Sequence, residues 1–163
     1  MRILLLILTC LLSAAGCRSD DPELRVIRTE TDFRRDGSLS FLDAGGDTMA
    51  TIDIEIAETD EARTRGLMGR RSLPPRSGMF FIMDEADTTG FWMRNTPMPL
   101  DIIFVGADSQ VVRIARRTRP YSNDVISPEA AKKFVVEVRA GQADRLGITD
   151  STRITWTRSL PPS

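Results

Sequence analysis

The chain has 163 residues, 41% of them apolar and 28% charged, enough for one domain with a core of its own. Its 22 basic and 23 acidic residues leave a formal net charge of −1, which supplies no bulk attraction to nucleic acid, so none is expected as a partner. It contains no histidine, which excludes Ser-His-Asp and Cys-His nucleophilic catalysis and histidine-type zinc sites.

Residues Met1 to Cys17 read MRILLLILTCLLSAAGC. Arg2 is followed by the apolar run Ile3 to Leu12 and then by small residues, the three-part pattern of a secretory signal, too short to span a bilayer. Ala14-Ala15-Gly16-Cys17 resembles the bacterial lipobox, with Ala14 where Leu is most usual. The expectation is a signal peptide over 1–16 and lipidation at Cys17; the alternative is an ordinary cleaved signal with an incidental Cys. In the lipobox reading Cys10 leaves with the signal and Cys17 becomes a thioether. No thiol then remains for a disulfide, a metal or redox chemistry. Acyl chains on Cys17 would anchor the protein to a bacterial membrane. The expected location is extracytoplasmic and periplasm-facing, with Arg18 in place of Asp favouring the outer membrane.

Residues 17–47 are expected to form a lipidated, flexible tether. Its first twenty or so residues are densely charged and aperiodic, and Leu39 to Leu42 add a short strand. Asp43 to Asp47 is a turn signal. Met49 to Glu58, MATIDIEIAE, alternates cleanly: Ala50, Ile52, Ile54 and Ile56 share one face, Thr51, Asp53 and Glu55 the other. Thr59 or Asp60 caps a helix running to about Met68, and Gly66 and Gly69 end it. Arg70 to Gly78 is a loop. Met79 to Met83 is an apolar strand, Asp84 to Asp87 a turn, and Thr88 to Arg94 a further strand. The Asn95 to Pro99 corner holds two prolines, which cannot sit in a central ladder. Leu100 to Val105 and Gln110 to Arg117 form a hairpin about Gly106 to Ser109. Thr118 to Ala131 is irregular. Lys133 to Arg139 is a strand, Gly141 to Gly147 a short helix, and Arg153 to Thr157 the last strand. These elements predict a mainly β fold: a single compact β sandwich or barrel-like domain over 48–158, with one or two short helices, followed by a tail over 159–163.

The stretch Phe91 to Val105, FWMRNTPMPLDIIFV, holds the densest set of uncommon residue types. If its corner joins Arg94 to Asp101, Trp92, Arg94, Asn95 and Asp101 form a polar cup able to bind a carboxylate, phosphate or sugar. The structural alternative is an Arg–Asp pair and a turn-capping Asn that fix the corner. Met68, Met79, Met83, Met93 and Met98 allow a Cu(I) reading, but their spacing suits core filling better. Asp84, Glu85, Asp87, Asp101 and Asp108 supply carboxylates for glycoside hydrolysis should two of them face across a cleft. The Asp84–Asp87 loop lacks the register of an EF-hand. The arginines from Arg113 to Arg119 suit a solvated sheet edge.

Together, several segments resemble the DUF-192 family of bacterial and archaeal proteins. They are Ile52 to Ala57 with Glu61-Ala62-Arg63, Arg65-Gly66-Leu67-Met68, Ser72-Leu73 and Gly78-Met79-Phe80-Phe81. They continue with Phe91-Trp92-Met93-Arg94-Asn95-Thr96 and Pro99 to Phe104, and more loosely with Val135 to Val138, Ala140-Gly141 and Leu146-Gly147-Ile148. The likeness spans about Met49 to Trp156. Asp150-Ser151 and the Thr118 to Ser127 loop depart from the family pattern. The resemblance implies a compact, mainly β, often exported domain and carries no activity. The sequence therefore points to an envelope lipoprotein with a non-catalytic binding or structural role. No cofactor and no metal is expected, and the ligand is left open among small molecule, glycan and protein. The alternatives are a His-free, carboxylate-dependent hydrolase of envelope glycan and Met-based Cu(I) binding. Oligomeric state is not legible.

Overall fold

A computed structural model describes residues 33–159. The expected signal peptide, Cys17, most of the tether and tail residues 160–163 lie outside the described residues. Seven strands and two short helices follow one another: β1 Gly37–Leu42, β2 Thr48–Ala57, α1 Asp60–Arg65, β3 Ser77–Asp87, β4 Leu100–Val105, β5 Val111–Ala115, β6 Lys132–Arg139, α2 Gln142–Arg145 and β7 Arg153–Arg158. The fold is mainly β, as expected. It is neither a two-sheet sandwich nor a closed barrel but one mixed sheet in the order β5-β4-β6-β3-β2-β1-β7. Its edge strands approach each other at one end, where Val111 N–H donates to Thr152 O and Ile154 N–H to Ser109 O. The sheet coils without closing.

The parallel pair is β2 with β3, and it needs a crossover. Helix α1 supplies that crossover. Thr59 caps it, its hydroxyl accepting from Ala62 N–H at 3.2 Å, and Gly66 ends it at φ 46, where an L side chain is strained. The other pairings are antiparallel. β1 is hydrogen-bonded to both β2 and β7, so the sheet begins ahead of the expected domain boundary at 48.

Two clusters of buried residues lie on opposite faces. The concave face carries Leu39, Ile52, Ile54, Phe80, Val136 and Ile154, with Ala143 of α2 over it. Curvature brings Trp156 of β7 against Phe80 and Phe134, ring centroids 5.0 and 4.8 Å apart. The other face carries Met79, Phe81, Ile102, Phe104 and Val135 beneath a cover of loop residues, including Leu67, Leu73, Met93 and Met98. Both faces of the central strands are thus dry, and β4 is buried along its whole length.

Two segments differ from expectation. Asp84 to Asp87 extends β3, with Asp87 opposite Lys132. Thr88 to Arg94 joins no strand. It makes one bridge, Phe91 with Ile126, because its backbone groups are taken by the 122–126 loop: Phe91 and Ile126 exchange N–H bonds, and Met93 N–H donates to Ser122 O.

Candidate functional site

The loop cover leaves a pocket of about 250 Å³ over the convex face. Phe81 and Met83 of β3 and Glu137 of β6 form its floor. Arg63 to Met68 line it from α1 and its exit, and Gly90 to Trp92, Arg94 and Thr96 from the second loop. Phe91 meets Phe81 edge to face, centroids 5.2 Å apart, so this wall is aromatic and packed.

Of the four residues proposed from sequence, two reach the pocket. Trp92 is 42% exposed at its rim. The Arg94 guanidinium lies 5.0 Å over the Trp92 ring and donates through Nε to Asn123 Oδ1 at 3.0 Å. Asn95 occupies the left-handed region at φ 55, which Asn tolerates better than most residues, and its carbonyl accepts from Gly69 N–H at 2.8 Å. It fixes the corner against the exit of α1. Asp101 does not meet Arg94. Its carboxylate is fully buried and accepts from Arg117 N–H at 2.8 Å and Ala143 N–H at 2.9 Å. The second bond serves the N-terminus of α2, where Gly141 has no side-chain cap to offer. The expected Arg–Asp cup is therefore absent: alternation along β4 turns Asp101 toward the concave face, while Arg94 stays outside on the other. Of the five methionines weighed from sequence, four are core residues and Met68 is half-buried at the pocket wall. Met79, Met93 and Met98 are buried and Met83 packs against them, and the Met93 sulfur accepts from the Thr118 hydroxyl at 3.1 Å.

The acid at the floor was missed. Glu137 is 5% exposed, and its carboxylate has no hydrogen-bond or ion-pair partner among the described residues. Burial alone pushes it up to about 8. Its signal lay in Lys133 to Arg139, where one Glu interrupts an apolar strand run. At the start of β6, Lys132, 1% exposed, is ion-paired to Asp87. Burial works to raise the Asp87 carboxyl, but the bonds from Lys132 and from Thr89 N–H outweigh it and leave it below its ordinary value. Arg63 is committed too: it pairs with Asp60 and Asp84, both at 2.7 Å, and donates to Ile82 O at 2.8 Å, pinning α1 to β3. Arg65 pairs with Glu61 at 2.6 Å. Among the described lining residues, the charged groups left without an opposite charge are Glu137 below and Arg94 at the rim.

The family profile DUF192, described as Uncharacterized ACR, matches residues 41–156. A crystal structure of a candidate transcription regulator from Sinorhizobium meliloti 1021 is 30% identical, with a TM-score of 0.71 over 78% of this chain and 97% of that one. A protein of unknown function from Novosphingobium aromaticivorans DSM 12444 is 35% identical, with a TM-score of 0.69 over 73% of this chain and 84% of that one. No curated protein matches. With its profile matched along the folded part and its sheet shared with both crystal structures, the chain belongs to the DUF192 family.

Proposed function

We propose that the protein is a lipid-anchored envelope protein whose DUF192 domain binds a small molecule in the pocket over β3 and β6. The carrying observation is a pocket floored by a buried carboxylate without a partner and walled by aromatic and thioether side chains. Small-ligand sites combine an apolar lining with a few placed polar groups in this way. The anchoring part rests on the Arg2, apolar-run and Cys17 pattern, with the domain held extracytoplasmically and periplasm-facing at the outer membrane. Cys17→Ser in the full chain should move the protein from the membrane to the soluble fraction; retention on membranes would overturn the anchor. A fragment screen on that soluble variant, read by Trp92 fluorescence, should give hits that Glu137→Gln weakens. Hits indifferent to Glu137→Gln would remove the pocket as the binding site.

One observation favours a second reading, a His-free hydrolase of envelope glycan. Asp87 and Glu137 line one pocket, and their carboxyls are shifted in opposite directions, Asp87 by its ion pair and Glu137 by burial, the division that an acid and a base would need. Turnover of glycan fragments, lost in both Asp87→Asn and Glu137→Gln, would select it. The Sinorhizobium relative is named for transcription regulation, a role that calls for an element able to read DNA. The longest helix among the described residues has six residues, short for reading a major groove.

A further inference from the structure

Resting on the reading of the pocket as a ligand site, we infer that its ligand is a small organic ammonium ion whose nitrogen seats on Glu137 and whose apolar body lies against Phe81, Met83 and Phe91. Every other fully buried carboxylate in the described chain is answered by the chain itself. Glu55 meets Arg70, and Asp101 meets two backbone N–H groups. Glu137 is answered by nothing, yet it faces an open pocket rather than closed core. A buried acid without its cation is costly, and a cationic ligand is the component that would complete it. The ionisable groups lining the same pocket are Arg63 and Arg65 from α1, Asp87 from β3, Lys132 from β6 and Arg94 from the loop. The two α1 arginines and Lys132 are held by carboxylates, and Arg94 lies on the Trp92 ring and bonds Asn123 at the rim, so none is offered as the counterion. The aromatic walls suit a cation as well, since ring faces attract one.

A neutral polyol would ask less of this position. A glutamine could donate and accept hydrogen bonds there without the cost of an acid. Carboxyl differs from amide in being able to ionise, and a cationic ligand uses that difference. Binding then drives a proton off Glu137 and forms an ion pair out of water.

The test uses the full chain carrying Cys17→Ser and three probes on one three-carbon phenylpropyl frame: 3-phenylpropan-1-ammonium, 3-phenylpropan-1-ol and 3-phenylpropanoate. Titration calorimetry in buffers of different ionisation enthalpy counts protons. The ammonium ion should bind tightest and release close to one proton at neutral pH. Its affinity should rise roughly tenfold per pH unit below about pH 8 and level off above it. Glu137→Gln should remove both the release and the pH dependence. Equal binding of ammonium and alcohol, without proton release, would overturn the cation inference and leave the pocket reading standing. Failure of all three at millimolar concentration, with Trp92 fluorescence unchanged, would overturn both.

Discussion

Glu55 and Glu137 form a natural comparison. Both oppose Met79, Glu55 from β2 and Glu137 from β6. They therefore sit in one row across the sheet, about 10 Å apart by strand spacing, pointing to the same face. Glu55 is closed off: Arg70 grips it with two bonds of 2.7 and 2.6 Å, and Arg34 N–H adds a third at 2.8 Å. Glu137 is nearly as buried, 5% exposed against 2%, and has none of these partners. Identical chemistry on either side of Met79 thus serves two ends. One acid ties the Arg70 loop to the sheet, and the other is kept available at the floor of a pocket. Where the cover supplies a cation the acid is structural, and where it leaves space the acid is open to a ligand.

Breaking the closed half should have the largest effect. Arg70→Ala strips the buried Glu55 carboxylate of its cation, and should cost about 3–5 kcal/mol in urea denaturation at neutral pH. Replacing both residues with apolar ones of similar volume should recover most of that loss. If Arg70→Ala alone proves nearly neutral, Glu55 is not held as the geometry indicates.

The open half should respond in the opposite direction. Glu137 holds its proton to about pH 8 in the folded protein, whereas in an unfolded chain a glutamate releases it near pH 4.3. Between those values the unfolded state loses its proton first, so folding weakens as pH rises, by about 1.4 kcal/mol per unit. Above pH 8 both states are ionised and the slope from this group vanishes. Glu137→Gln removes the slope and should stabilise the protein by roughly 3–4 kcal/mol at neutral pH. A variant less stable than the parent at pH 7 would mean that a partner holds Glu137 in its ionised form.

These two glutamates also mark where sequence reading stops. The alternation of β2 correctly put Ile52, Ile54 and Ile56 on a buried face, because period-2 patterning is local. The same alternation put Glu55 outside, since a charged residue opposite an apolar face normally meets water. What buries Glu55 and Glu137 is the cover over the second face, built from loops at 67–73 and 91–98, and the path of those loops is a long-range property. Asp101 teaches the same lesson. Seven residues from Arg94, it looked like that residue's partner. Its actual donors are at Arg117 and at Ala143, 16 and 42 residues away.

Asp101→Ala separates those two readings at intermediate magnitude. It strips the acceptor from two backbone N–H groups, one of them starting α2, and should cost about 2–3 kcal/mol. Amide exchange should quicken in residues 142–146 rather than around Arg94. Protection lost at 92–96 instead would restore the pairing of Asp101 with the corner.

The smallest effect belongs to Arg94, and its contrast with Arg70 sharpens the comparison. Both are arginines on loops over the same face of the sheet. Arg70 is 8% exposed and ends on a buried carboxylate. Arg94 is exposed, lies on the Trp92 ring and bonds a neutral amide. Arg94→Ala leaves no charge stranded, so the loss is one cation–π contact and one surface hydrogen bond, together under about 1 kcal/mol. The same substitution frees the outer face of Trp92, and tryptophan emission should change although the denaturation midpoint hardly moves. A loss as large as that of Arg70→Ala would place Arg94 among the structural arginines, and the rim of the pocket would then belong to the closed half of the molecule.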